Sequence, residues 1–276
     1  MYKVVLIWPN HFSFGNVGET TTLYCRGQPE LNIACKTRSS NFCAASLSVK
    51  VIQIFVTMNV LITAPTEFEI LTLNDRLKTL AIPSNKLEVN TLITGIGGVA
   101  TTYSLVKALE QNRPDFIIQM GIAGSFDRDL VPGSVVYVKE ELMGDMGAEE
   151  NNEFRDLFDL ALLKKDAFPF EGRMLRNPFS FNADSGLKAV RSIGINEITT
   201  RQERIELLQR KYHPVVESME GAAFHYVCLQ EKIPFLQIRA VSNYVGERDK
   251  KKWNIQLAIA NLTDAVFEIL PKLPLF

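Results

Sequence analysis

The chain of 276 residues has only four cysteines and three histidines, and neither charge predominates, with 30 Lys+Arg against 31 Asp+Glu. Each shortage removes a class of function. The histidines (His11, His213, His225) and the cysteines fall in no spacing that makes a zinc ligand set, so no metal and no organic cofactor is expected. Three of the cysteines (Cys25, Cys35, Cys43) crowd the start of the chain, where an odd number strands one of them and argues against a secreted disulfide framework. A formal net charge of −1 without a basic run argues against nucleic acid or a membrane surface as partner. No apolar run approaches the roughly 18–20 residues of a spanning helix, since the run 4–8 stops at Pro9 and the run 51–56 is broken by Gln53. A Walker loop, a full dinucleotide fingerprint and a serine-hydrolase elbow are absent. A soluble cytoplasmic protein with small-molecule partners is expected.

What remains is an ordinary globular composition, 46% hydrophobic and 22% charged, but it is unevenly laid out. Residues 1–57 carry five basic groups and two acidic ones, which leaves the rest of the chain with a net charge of −4. No helical or alternating period persists there. This stretch is expected to be a peripheral extension, disordered or the product of a misassigned gene start, with the catalytic domain spanning 58–276.

From Met58 onward the texture is that of alternating strands and helices. Continuous apolar runs of strand length occur at 58–64, 87–94, 115–120, 134–139, 186–195 and 234–241. Helical periods separate them, with Phe68, Leu71 and Leu77 in the first helix and Val99, Leu105, Val106 and Leu109 in the second. The helices at 201–211, 219–231 and 253–270 follow, and 144–184 is expected to consist of long loops. Strands without internal alternation indicate a sheet covered on both faces. The expected fold is α/β, a three-layer αβα sandwich around a mixed, largely parallel twisted sheet.

Ligands of such sheets bind beyond the carboxyl ends of the strands. Five segments stand at these places. They read A-x-x-E-x-E from Ala64 to Glu69, T-G-I-G from Thr94 to Gly97, G-x-A-G from Gly121 to Gly124, M-E-G-A-A from Met219 to Ala223, and R-A-V-S-N from Arg239 to Asn243. In this order the segments resemble the purine nucleosidase and nucleoside phosphorylase superfamily, over about four fifths of the chain. Gly144 to Glu149, Val216 to Gly221, and Ser242 to Asp249 with Trp253, resemble the futalosine hydrolases most closely. That resemblance implies release of hypoxanthine from futalosine in a menaquinone route, without cofactor, by a homodimer or larger homo-oligomer.

Breaking an N-glycosidic bond needs a base for water, an anion against the sugar and a donor to the departing purine. The resemblance gives Glu69 the first role, although Thr66 to Glu69 also reads as a capping box. Glu220 suits the ribose hydroxyls, with Met219 against the sugar; its structural alternative is an acid at a helix N-terminus, a reading that fits Glu217 better. Asn243 stands where adenine-cleaving relatives carry Asp, and its amide donates to N7 and to a 6-oxo oxygen, which favours hypoxanthine. Arg239 is expected to orient Glu69 or the water. Thr94, Gly97, Gly121 and Ala123 are expected to line the nucleoside site with close backbone. Glu67 and Glu69 together would repel phosphate. Four arginines, Arg173, Arg176, Arg191 and Arg248, remain unranked as holders of the distal carboxylate of futalosine, and Asp145 and Glu149 have no derived role. His225 and Cys228 are expected in the core. Two other readings stay open: a methylthioadenosine/S-adenosylhomocysteine nucleosidase or purine nucleoside phosphorylase, and a non-catalytic nucleoside-binding protein.

Overall fold

The structure, a computed structural model, describes residues 57–79, 87–150, 153–179 and 186–273. Apart from Thr57, the expected extension and its three cysteines lie outside the described residues. The elements run β1 (Met58–Ala64), α1 (Glu67–Thr79), β2 (Leu87–Ile93), α2 (Gly98–Gln111), β3 (Phe116–Ser125) and β4 (Val135–Met143). Three short strands follow, β5 (Gly147–Glu150), β6 (Glu153–Asp156) and β7 (Leu175–Arg176). The chain then forms β8 (Lys188–Gly194), α3 (Gln202–Tyr212), β9 (Val216–Ser218), α4 (Gly221–Glu231), β10 (Phe235–Tyr244) and α5 (Ile255–Ile269).

Eight strands form one mixed sheet in the order β10-β4-β8-β9-β3-β1-β2, with β7 beside β4. Because β10 also pairs with β3, the sheet closes on itself through β3, β10, β4, β8 and β9, and β1 and β2 extend from β3 as a flap. Parallel pairs join β1 to β2 and β3, β3 to β10, β4 to β8 and β8 to β9, while β4 is antiparallel to β10 and β9 to β3. The central strands are mostly apolar because both faces are covered, with Gln119 in β3 and Gln237 and Arg239 in β10 as buried exceptions. On one face Val60, Ile62, Phe116, Ile118, Leu236 and Ile238 pack against Ile70 and Leu73 of α1 and Leu262 and Val266 of α5. On the other, Leu61, Ile117 and Phe235 pack against Leu105 and Leu109 of α2 and Phe224, Val227 and Cys228 of α4. Each fully buried side chain of this size contributes about 1.5–3 kcal/mol.

Several details depart from the sequence reading. In α1 the buried apolar residues are Ile70 and Leu73, while Phe68 and Leu71 face outward, Phe68 with 59% of its surface exposed. In α2, Thr101, Leu105 and Leu109 are buried, and Val99 is 85% exposed. Both helices are apolar on more than one side, and periodicity does not tell which side meets the sheet. Gly121 to Gly124 does not turn after β3 but continues it, held by β10 along Arg239↔Gly121 and Asn243↔Gly124.

The described residues between β4 and β8 are mostly irregular, as expected, and are fastened by charge. Asp156 is buried, accepts from Arg173 at 2.9 Å and from the Tyr212 hydroxyl at 2.9 Å, and has Lys211 at 3.5 Å. Burial works against ionisation of neighbouring Asp159, but hydrogen bonds from Lys211 and Arg173 outweigh it and hold that carboxyl down at about 2. These pairs join the loop to α3.

Candidate active site

The candidate residues converge because β3 and β10 outrun β1. The last β1 partner of β3 pairs Thr63 with Gln119, so the β3 edge beyond it is open to the first turn of α1. Glu69 fills that place. Its Oε1 accepts from the Ile122 N–H at 3.1 Å, and its Oε2 accepts from the Thr66 hydroxyl at 2.7 Å. The carboxylate thus bridges β3 and Thr66 at the start of its own helix, so capping and a place at the site coexist, whereas Glu67 is exposed. Burial raises the Glu69 pKa, and Glu220 adds to the rise; Thr66, Ile122 and the Arg239 guanidinium offset part of it.

Arg239 is the centre of the cluster. It is wholly buried, its Nη2 donates to Gln119 Oε1 at 2.7 Å, and its Nη1 lies 3.7 Å from Glu220 Oε2. Its Nε and Nη1 have no hydrogen-bond partner among the described residues. Gly121 is required beside it, because a methyl there would run into the guanidinium and come within 3.2 Å of Glu69 Oε1. Glu220 caps the start of α4 only by position; no side-chain capping bond forms, and Oε1 instead accepts from the Gly97 N–H at 2.9 Å. Gly97 reaches it through a left-handed backbone, φ +87°, which glycine adopts without steric cost. Thr94 sets up this turn, its N–H donating to Ala64 O at 2.9 Å and its hydroxyl lying within 3.3 Å of the carbonyls of Ala64 and Gly95. Met219, next to Glu220, lines a broad cleft of about 1130 Å³ bounded by α2, α4 and the loops before β7.

Asn243 lies farther along β10. A β-bulge at Ser242 places Asn243, not Ser242, opposite Gly124. Ser242 Oγ donates to Asn243 Oδ1 at 2.7 Å and lies 3.3 Å from Ala123 O, while Asn243 Nδ2 donates to Tyr244 O at 2.9 Å. This orients the amide with one N–H left for a ligand, where the sequence reading counted two.

Sequence reasoning missed two acids. Glu217 was read as an acid favouring a helix N-terminus, but it lies in β9, buried, with Oε1 accepting from the Thr199 N–H at 3.3 Å and Oε2 without a hydrogen-bond partner among the described residues. Burial pushes its pKa up to about 7. Glu141 is fully buried behind Gly221, bound by Gln237 Nε2 at 3.0 Å, and burial pushes it likewise up to about 7. Their only signal was a carboxylate inside an apolar run. Asp145 gains a role: it accepts from the N–H groups of Asn196 and Glu197 and from the Asn196 amide, fastening the loop after β8.

His225 is a packed residue. Its Nδ1 pairs with Leu175 O at 3.0 Å, its ring meets Phe235 edge-on at 4.7 Å, and burial lowers its pKa to about 3. Of the four unranked arginines, Arg173 pairs with Asp156 and Asp159, and Arg176 and Arg191 pair with Glu140. Arg248 forms no ion pair among the described residues and lies over the Trp253 ring at 5.5 Å. Among the described residues no three His, Cys, Asp or Glu side chains are grouped to hold a metal ion. No helix among them is long and apolar enough to cross a membrane.

The family model described as the phosphorylase superfamily matches residues 66–271, from the α1 turn through α5. The chain belongs to the phosphorylase superfamily. A protein named futalosine hydrolase in Thermus thermophilus is 30% identical over 186 residues, covering 65% of this chain and 80% of the relative. A superfamily relative named 5'-methylthioadenosine/S-adenosylhomocysteine nucleosidase in Aeromonas salmonicida is 29% identical over 200 residues, covering 65% of this chain and 80% of its own. The solved structure of Helicobacter pylori futalosine hydrolase covers 79% of this chain and 99% of its own at a TM-score of 0.65 and 17% identity, a likeness of fold.

Proposed function

We propose that this protein hydrolyses the N-glycosidic bond of futalosine, releasing hypoxanthine and dehypoxanthine futalosine, as a nucleosidase that uses no cofactor. The observation that carries the reading is the meeting of Glu69, Glu220 and buried Arg239 at the ends of β3 and β10, with an asparagine at the base end of the same strand. As the C1′–N9 bond breaks, its electron pair leaves with the purine and positive charge develops on the ribose. Glu220, held by Gly97, accepts from the ribose hydroxyls and stabilises that charge. A water oxygen then bonds to C1′ and its proton passes to Glu69, which burial makes a stronger base than an ordinary glutamate. Arg239 lends its unengaged Nη1 and Nε to hold the water against Glu69. Asn243 donates one N–H hydrogen bond to the departing 6-oxopurine anion, which takes its proton from solvent water to leave as hypoxanthine. Glu67 faces solvent, so repulsion of phosphate falls to Glu69 and Glu220 and not to the pair expected from sequence.

The similarity to a methylthioadenosine/S-adenosylhomocysteine nucleosidase supports a second reading on the same machinery, in which adenine is released. Incubation with futalosine, inosine and methylthioadenosine, with and without phosphate, separates the two. Hypoxanthine released from futalosine without phosphate is expected. Release that requires phosphate, or adenine release alone, overturns the first reading.

A homodimer is part of the proposal. Val99, Tyr103 and Val106 form an exposed apolar stripe on α2 that rims the cleft lined by Met219, so a second copy seated there would also wall the substrate site. A monomeric mass in solution would overturn it.

A further inference from the structure

We propose that Glu141 is a positioning residue for the hydrolysis: paired with the Gln237 amide beneath the first turn of α4, it fixes Glu220 against the ribose and leaves the charge of Arg239 to the two acids of the site. The inference rests on the nucleosidase reading above and extends it to a buried acid behind the site that neither the motifs nor the reaction chemistry had assigned.

Strand register places the pair. Glu141 of β4 stands opposite Ser192 of β8 on one side and Leu175 of β7 on the other. Gln237 lies two residues before Arg239 on β10, so the two side chains share one face of the strand. Gln237 Nε2 donates to Glu141 Oε2 at 3.0 Å, and Gln119, in register with Gln237 on β3, accepts from Arg239 Nη2 at 2.7 Å. One face of β10 thus carries both the arginine of the site and the amide that holds Glu141. Gly221 rests on the pair, since a Cβ there would collide with Glu141 Oε2 and Gln237 Nε2 and stand 2.9 Å from Ser218 Oγ, which accepts from the Gly221 N–H at 3.3 Å. Gly221 directly follows Glu220. Glu141 and Gln237 therefore floor the main chain from which the Glu220 carboxylate projects, and the Gly97 N–H holds that carboxylate from its far end at 2.9 Å.

The pair is complete only when Glu141 carries a proton. Glu141 Oε1 and Gln237 Oε1 are both buried and have no hydrogen-bond partner among the described residues. As a carboxylate Glu141 has nothing to donate, whereas as a neutral acid it supplies the O–H that Gln237 Oε1 can accept and keeps the Gln237 bond on its other oxygen. One proton thus serves two oxygens, each of them costly to bury bare. Burial acts in the same direction and raises the Glu141 pKa to about 7 against the pull of the Gln237 bond and the Arg239 charge. The charged group facing it from β10 is Arg239, and α4 brings Glu220 and, one turn on, His225, which burial keeps neutral by lowering its pKa to about 3. Beside Leu175 and Ser192, β7 and β8 carry Arg176 and Arg191, and both of these pair with Glu140. Loss of the Glu141 proton sets a third anion against Arg239, whose charge otherwise goes to Glu69 and Glu220. It also turns a carboxylate against Gln237 Oε1 and loosens the floor under Gly221.

The test uses the whole chain and its Glu141→Gln and Glu141→Ala variants, with circular dichroism to confirm folding and steady-state base release followed across pH on the nucleoside that the unsubstituted protein cleaves. Glu141→Ala removes the floor and is expected to lower kcat about 10- to 100-fold with KM less affected, the scale of a catalytic group displaced by up to about 1 Å. Gln reproduces the neutral acid, with an N–H in place of the O–H. Glu141→Gln is therefore expected to recover most of that loss at acidic pH and to lack the fall in kcat/KM that the unsubstituted protein shows as pH rises through about 7. Where Glu141→Ala does not fold, the pH profiles of the other two proteins decide. A full rate for Glu141→Ala, no recovery by Glu141→Gln, no fall in the unsubstituted protein, or the same fall in Glu141→Gln overturns the role of Glu141, while hypoxanthine release from futalosine still upholds the functional reading. Release of adenine in place of hypoxanthine overturns the futalosine reading and leaves the role of Glu141 standing on the variants. No base released from any of the nucleosides overturns both.

Discussion

Gly121→Ala is the sharpest small perturbation of the site. The residue has no left-handed φ, so alanine adds no backbone strain, and the whole effect comes from one methyl group. That methyl would occupy the place of the Arg239 guanidinium and stand 3.2 Å from Glu69 Oε1. Arg239 has little freedom to yield, being wholly buried and tied to Gln119 at 2.7 Å. Overpacking of this kind costs about 1–3 kcal/mol, which for a domain of this size lowers Tm by about 2–12 °C. The larger effect is on rate. If Arg239 moves by about 1 Å, Glu69 and Glu220 lose their common partner and turnover should fall about 100-fold. Gly172→Ala is the control. It lies in a left-handed turn, φ +56°, with nothing within 4 Å of an added Cβ, so it costs about 1–2 kcal/mol of strain and leaves the rate unchanged. The assay pairs thermal unfolding with steady-state release of the base. Gly121→Ala at full kcat/KM would refute the placement of Arg239 between the two acids.

Glu69→Gln and Glu220→Ala should each lower kcat more than about 100-fold in folded protein, and kcat/KM of the unsubstituted enzyme should rise with pH as Glu69 ionises, on a limb above the ordinary glutamate range; near-normal rates would return both acids to helix capping. Asn243→Asp should shift preference toward adenine nucleosides, and an unchanged ratio of hypoxanthine to adenine release would remove the amide from base recognition. Glu141 binds a proton in the folded chain up to about pH 7, whereas the unfolded chain releases it near 4.5, so it makes stability fall as pH rises through that window. Relative to the unsubstituted protein, Glu141→Gln should therefore gain Tm from pH 5 to pH 7, and a constant difference would place the proton elsewhere. Residues 58–276 alone should keep full activity, and a loss of rate would give residues 1–57 a part in the enzyme.

The legible parts of the molecule are those set by local pattern. Strands buried on both faces read as unbroken apolar runs, and β1, β3 and β10 were visible for that reason. Glu69 was separable from Glu67 because the two project in different directions from the first turn of α1. The illegible parts depend on which strands meet. Gly121 looked like a turn glycine, and its real reason, room for Arg239, follows only from the register of β3 with β10. Closure of the sheet through β9 and β10 left no local trace, since it joins residues far apart in sequence. The bulge at Ser242 is equally silent. Glu217 was misread because a three-residue strand next to a helix start has the same sequence texture as a helix cap. In α1 and α2 the misassigned faces belong to helices with two apolar sides, and on α2 the second side is the exposed stripe around Val99 and Tyr103.

The charge balance of the site favours hydrolysis over the transfer of a sugar to an anion. Glu69, Glu141, Glu217 and Glu220 are all buried, and Arg239 is the one buried cation among the described residues. Such a surplus of carboxyls is unfavourable to fold, and burial accordingly pushes three of them, Glu69, Glu141 and Glu217, toward the protonated form. It becomes useful only when positive charge develops nearby, as on a ribosyl cation, because fixed anions then stabilise the transition state more than the neutral nucleoside. The same surplus would raise the energy of a bound phosphate, whose charge would meet Glu69 and Glu220 with Arg239 as the only buried counter-ion. The charge of Arg239 already faces both acids, with Nη1 3.7 Å from Glu220 and a favourable charge interaction with Glu69, while Nη2 is tied to Gln119. Water, neutral and able both to donate to Glu69 and to accept from Arg239, is the nucleophile this balance admits.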